Sequence, residues 1–252
     1  MSLFSKIFSS PATKPVAAPL PEYRVRVSAR AKYVRLRLTP HDGLEVVIPK
    51  GFDDRKVPGI LKSRREWLER ALQNLPPAEA RNAREDLPAT IAFPATGQTW
   101  PVDYIQSDSS RVSATTRDGR LRLIGNIPDG PACQAALRRW LLKQAHLELV
   151  PWLESLSRTH SLPYQQARVR MQKTRWGSCS SRGTISINAQ LLFLEKRHVE
   201  YVFLHELCHT RHLNHSPQFW AMLEELESAY KDIHQAMRQA WRVVPAWTSD
   251  RY

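Results

Sequence analysis

Cysteine is scarce in this chain: Cys133, Cys179 and Cys208 are odd in number and far apart. That spacing excludes a disulfide framework and fits a reducing compartment, so the expected location is the cytoplasm. Long apolar runs are missing too. Arg, Lys, Glu or His interrupts every hydrophobic stretch before the roughly eighteen residues of a membrane-spanning helix, and no membrane association is expected. The opening MSLFSKIFSSPATKPVAAPLP has too brief an apolar start for the core of a secretory signal, and residues 1–20 read as a disordered tail. There is no internal repeat and no Gly-rich phosphate loop. Acidic residues are outnumbered, 24 against 37 Lys and Arg, and the resulting charge of +13 suits contact with polyanions or a solvated basic surface.

What is present is enough apolar material for a core, 42% of 252 residues. From Tyr23 to Ile48 it alternates as Tyr23–Val27, Val34–Leu38 and Leu44–Ile48, which predicts three short antiparallel strands with one buried face. Their other face would carry Arg24, Arg26, Arg35 and Arg37, a candidate nucleic-acid patch or an ordinary solvated face. Asp53 or Asp54 can cap a helix to about Asn74 with Val57, Ile60, Leu61, Trp67 and Leu68 at helical spacing, stopped by Pro76-Pro77. Strands are predicted at 99–105, 111–116 and 120–124, with Asp118-Gly119 as a hairpin turn. After Pro128 the pattern becomes a long amphipathic helix from Ala136 to Trp152, which sets a soft boundary between a β-rich region, 21–128, and a second domain, 129–252. Strands at 167–175 and 183–189 and helices at 196–212 and 217–240 follow.

The chemistry is concentrated in Tyr201-Val-Phe-Leu-His-Glu-Leu-Cys-His209, an H-E-x-x-H motif inside an apolar helical run. Four residues advance a helix by about 6 Å and turn it roughly 40° past a full circle, so His205 and His209 project together and can share one zinc ion. Glu206 lies near the same side, where it can activate the water that the metal polarises. A third ligand is needed. His212 is about 10 Å along the axis from His205, too far for one ion on a straight helix. His215 lies past a helix end at Leu213-Asn214, where Asn tolerates the left-handed conformation that would fold the chain back, so His215 is the expected ligand. Ser216 and Pro217 then serve as N-cap and first residue of the next helix. Cys208 reads as a buried thiol, Cys179 as a packing residue or a thiol near the metal, and His160, His198 and His234 as surface residues.

Further segments match a known pattern: Arg175-Trp-Gly-Ser-Cys-Ser180, Thr184-Ile-Ser-Ile-Asn188, Asn214-His-Ser216 and Phe219-Trp220, with Ser28-Ala-Arg30, Val34-Arg-Leu36, Gly43, Pro49 and Trp67 upstream. Together with the H-E-x-x-H helix they resemble the YgjP-like zinc metallopeptidase family, whose site is related to those of WLM and SprT-type metalloproteases. The resemblance runs from about Tyr23 to Leu226. It implies an α+β fold in which a β-rich N-terminal part precedes a zincin-like catalytic core, built from a small sheet and the H-E-x-x-H helix. It implies zinc on His205, His209 and His215, Glu206 as general base, and a protein or peptide substrate. One departure is His212, which stands where the metzincin-type pattern has glycine and leaves the turn into His215 open.

In related proteases a strand beside the zinc helix pairs with an extended substrate, and the resemblance places that role on residues 175–188. Arg175, Trp176 and Ser178 are the substrate-binding candidates. Arg175 could hold a carboxylate or phosphate, stabilise an oxyanion or form a structural ion pair; Trp176 could be a platform or a packing residue, and Ser178 a contact or part of a turn. Two other functions are compatible with the sequence. One is hydrolysis of a nucleotide phosphoanhydride at the same metal site, and the other is a nucleic-acid-associated protease or binding module using the arginine-rich sheet.

Overall fold

The computed structural model describes residues 22–39, 43–73 and 87–249; the expected N-terminal tail and the Pro76-Pro77 helix stop lie outside them. The architecture is mixed α+β, as the resemblance implies. Strands β1 (Tyr23–Ser28), β2 (Arg35–Thr39) and β3 (Gly43–Pro49) form the first sheet in the order β1-β3-β2. The expected all-antiparallel arrangement is corrected here: β2 and β3 are antiparallel, but β1 runs parallel to β3. Composition explains the order, because β3 buries Leu44, Val46, Val47 and Ile48 and takes the centre, while the arginine-bearing strands take the edges. The register aligns Arg24 and Arg37 with Glu45, and Arg26 and Arg35 with Val47. Glu45 pairs with Arg26 at 2.9 Å and Arg37 at 3.6 Å, so one carboxylate sits among the four arginines.

The single helix expected from Asp53 to Asn74 is broken. A short 3-10 turn capped by Asp53 leads into α1 (Val57–Ser63), and α2 (Arg65–Gln73) follows. Ser63 Oγ donates back to the Ile60 carbonyl at 2.8 Å and Arg64 leaves helical geometry, which breaks the ladder there. Val57, Leu61 and Leu68 close a small core over the first sheet. The bend leaves Trp67 exposed, contrary to the single-helix spacing.

The second sheet has the order β4-β5-β7-β6, from β4 (Thr90–Phe93), β5 (Gln98–Gln106), β6 (Ser113–Arg117) and β7 (Arg120–Gly125). Four residues long and bounded by Pro88 and Pro94, β4 is too short to be read from periodicity. Asp118 and Gly119 both have positive φ, 52° and 71°, the turn that matches strand twist in a two-residue hairpin. Helix α3 (Gly130–Thr159) lies against this sheet, capped by Asp129, which accepts the Ala132 N–H at 2.9 Å. Leu121 and Leu123 of β7 share one buried cluster with Leu137, Trp140 and Leu141 of α3, so the change of character near 128 is a change of secondary structure within that core.

The third sheet, order β8-β10-β9, consists of β8 (Gln166–Arg170), β9 (Gly177–Cys179) and β10 (Thr184–Asn188). Instead of one strand to residue 175, the chain leaves β8 and returns as the short edge strand β9. Buried Asn188 holds that excursion by donating to the Gln172 and Arg175 carbonyls, both at 2.9 Å. Helices α4 (Lys196–Cys208), α5 (Pro217–Leu226) and α6 (Tyr230–Met237) complete the domain, so the helix expected over 217–240 is two helices. Phe93 joins the parts: fully buried, it stacks on Trp140 of α3 at 5.6 Å and meets Phe193, just before α4, edge-on at 5.5 Å. Phe93→Ala is expected to lower unfolding free energy by about 3–5 kcal/mol in chemical denaturation, the range for truncating a buried phenylalanine.

Candidate metal centre

Helix α4 is buried along most of its length, with Val199, Phe203, Leu207 and Cys208 inaccessible, so the residues it turns toward the cleft are held rigidly. His205 and His209 stand one turn apart on it, with ring centroids 5.0 Å apart. The helix ends at Cys208, earlier than the sequence suggests. Thr210 N–H bonds to the Leu207 carbonyl and Arg211 N–H to that of Cys208, tightening the last turn. Among the described residues the non-glycine positions with positive φ are Asp118 and Ser161, so the chain folds back through this tightened turn and not through a left-handed Asn214.

The turn brings His215 to the other two rings, at centroid distances of 5.0 Å from His205 and 4.8 Å from His209. One ring nitrogen from each of His205, His209 and His215 lies within 4.8 Å of the others, so the three could hold a metal ion. His212 is outside this group and takes part through its backbone. Its carbonyl is 2.9 Å from His209 Nδ1, and since a carbonyl only accepts, Nδ1 donates there, which leaves Nε2 as the nitrogen able to ligate a metal. Helix α5 buttresses the other side. Ser216 caps it through the Phe219 N–H at 3.4 Å, Phe219 stacks on His209 at 4.6 Å, and Trp220 stacks on His215 at 5.4 Å.

The electrostatics suit a cation. Burial holds the His205 imidazole down to about 3, aided by the neighbouring His209 and His215, and burial also lowers His215. Neutral rings are the form that ligates metal. The Nε2 atoms of His205 and His215 face each other across 3.0 Å, a contact that neutral rings satisfy with one proton or with a shared cation. Glu206 is 6% exposed, and burial pushes its carboxyl up to about 8 against the lowering pull of Arg175 and of the Cys179 backbone amide. Its Oε2 is buried without a hydrogen-bond partner among the described residues, as is Nδ1 of His205. Three clustered imidazoles beside a buried carboxyl group with an unpartnered oxygen fit a divalent cation with a water beside it.

Strand β9 passes so close to Glu206 that only glycine is accommodated at 177: a Cβ there would lie 2.6 Å from Glu206 Oε1 and 2.7 Å from its Cγ. By alternation Cys179 shares that face and Ser178 points away from it. Burial first, and the Glu206 charge second, raise the Cys179 thiol to about 11; burial raises Cys208 to about 12. Both shifts disfavour the thiolate, the reactive form.

Of the substrate-binding candidates, Trp176 lines a cavity of about 310 Å³ beside Glu206, whereas Arg175 and Ser178 do not. Arg175 is exposed, and its charge reaches Glu206. The residue patterns miss the rest of that wall: Tyr201, His234, Met237 and Trp241. His234 is exposed, as expected of a surface residue, and its Nδ1 is 2.7 Å from the Tyr201 hydroxyl. No spacing marks this pair, because Tyr201 and His234 come from helices that meet only in the tertiary fold.

A solved structure, the metallopeptidase zymogen of Pyrococcus abyssi abylysin, is similar at 25% identity over 35% of this chain and 90% of its own, with a TM-score of 0.32. No curated protein matches the chain in sequence. The YgjP-like metallopeptidase domain matches residues 32–240, a span that includes β2, the long helix α3 and all three clustered histidines. Most of its length being matched in this way, the chain belongs to the YgjP-like metallopeptidase family.

Proposed function

We propose that this metallopeptidase-family chain is a zinc-dependent peptidase, with His205, His209 and His215 as ligands and Glu206 as general base. The observation that carries this reading is the convergence of three imidazoles within 4.8 Å beside a buried carboxylate. Zinc in a site of three histidines supplies Lewis-acid polarisation and lowers the pKa of a water to about 7. The residues of the chain do the rest. Glu206 takes the proton of the attacking water and returns it to the leaving nitrogen. Gly177 leaves room for its carboxylate, and the Cys179 amide orients it. The Nδ1–H of His209, held by the His212 carbonyl, directs its other nitrogen into the cluster.

Strand β9 is an edge strand next to Glu206, so an extended substrate backbone can lie along it. The adjoining cavity favours a peptide over a nucleotide, because its walls are largely aromatic and aliphatic and Arg238 is its one Lys or Arg. A triphosphate calls for several positive groups.

Metal analysis and peptide cleavage by the variants test this reading. Glu206→Gln is expected to retain one zinc per chain while kcat falls about 10²–10⁴-fold, the usual contribution of a positioned general base. His205→Ala, His209→Ala and His215→Ala are expected to lose both zinc and turnover, and His212→Ala to keep its zinc because its contact is through the backbone. Full activity in Glu206→Gln would sink the mechanism. Gly177→Ala is expected to keep zinc and lose about 10²-fold in kcat, since a displacement near 1 Å of a catalytic group has that effect; unchanged kcat would show that Glu206 has room to move without consequence.

A further inference from the structure

The walls of the cavity beside Glu206 carry chemistry that bond cleavage does not use. His205 and Glu206 close one end, and Val202, one turn before Glu206 on α4, continues the wall away from the histidines. Met237, at the end of α6, faces it. Trp241, in the 3-10 turn that follows, stacks on Trp176 at 3.8 Å with the ring planes 18° apart, so two indoles form a double wall beside β9. Of the polar groups that line it, the Tyr201 hydroxyl is engaged by His234, Arg238 is exposed to solvent, and the Trp176 indole N–H has no partner among the described residues.

Size narrows the occupant further. About 310 Å³ is the lower end of the roughly 300–1,000 Å³ range of small-molecule sites, which suits one large side chain with its adjoining backbone better than a nucleotide. The thioether of Met237 and the indole pair make favourable contacts with another ring or a branched aliphatic group. A small or charged side chain would leave these walls unfilled or strip a charge of its water. We propose that this cavity is the specificity pocket of the peptidase site, taking one bulky apolar or aromatic side chain adjacent to the scissile bond. Trp241 and Met237 act as specificity determinants. The proposal rests on the peptidase reading above, and its test does not depend on turnover.

The probes are two peptide hydroxamates that differ only in a Phe or an Ala side chain next to the chelating group, titrated into the zinc-loaded full chain by tryptophan fluorescence. The Phe probe is expected to bind at least about tenfold tighter, the lower bound for discrimination by an apolar pocket. Trp241→Ala should reduce that ratio to below about threefold with zinc content unchanged, and Trp241→Phe should restore part of it. Met237→Trp fills the cavity from the opposite wall, so it should weaken the Phe probe and spare the Ala probe, which keeps the test decisive if Trp241→Ala does not fold. Cleavage of a random peptide mixture should enrich Phe, Tyr, Trp, Leu or Met at one position flanking the cut. Equal affinity for the two probes, or an unchanged ratio in both Trp241→Ala and Met237→Trp, overturns the pocket even if peptides are cut. A preserved Phe preference with no peptide cut overturns the peptidase reading and leaves the pocket standing.

Discussion

The close approach of helix α4 to strand β9 is the constraint on which the site depends. Glu206 is buried against Gly177 at a separation that leaves no room for a methyl group, and the Cys179 amide bonds to its carboxylate. A strand with a side chain at 177 would push the carboxylate aside or lift the strand from the helix. The contact also explains why the Glu206 carboxyl is pushed up to about 8: the apolar helix and the strand strip it of water, and one arginine and one amide only partly offset that. A nearby dication would pull the same group toward its charged form, the form a general base needs.

The histidines are held by a second set of contacts that share no residue with the first. His209 is fixed by the carbonyl of His212 on one side and the ring of Phe219 on the other, and His215 is pressed against Trp220. Phe219 and Trp220 belong to the first turn of α5, whose start is set by the Ser216 cap. The turn into His215, the cap and the two aromatic rings therefore form one unit in which each part orients the next. Behind it, Trp220 stacks on Tyr230 and meets His234 edge-on, which links the ligand cluster to α6 and the cavity wall.

The small first sheet shows how far composition decides topology. Its strands are evident as alternating segments, but the pairing is not, because alternation says which face is buried and nothing about which neighbour a strand chooses. β3 takes the centre since it alone is apolar enough to be covered on both faces, and Glu45 on it gathers Arg26 and Arg37. The α1–α2 break has a similar origin: a single helix satisfies the spacing, whereas the Ser63 back-bond to Ile60 interrupts it and turns Trp67 outward.

The amino-acid order by itself determined the local parts of this protein: the H-E-x-x-H helix, the Asp118-Gly119 hairpin, the Ser216-Pro217 cap and His215 as the third histidine of the cluster. Each depends on residues within about one or two turns of one another, where helical rise and turn chemistry are strict. Only the tertiary structure decided the rest. The parallel pairing of β1 with β3, the glycine at 177 beneath Glu206 and the Trp176–Trp241 wall join residues up to 65 positions apart in the chain. No periodicity records such contacts, because they arise from which apolar faces bury against each other once the helices and sheets have formed.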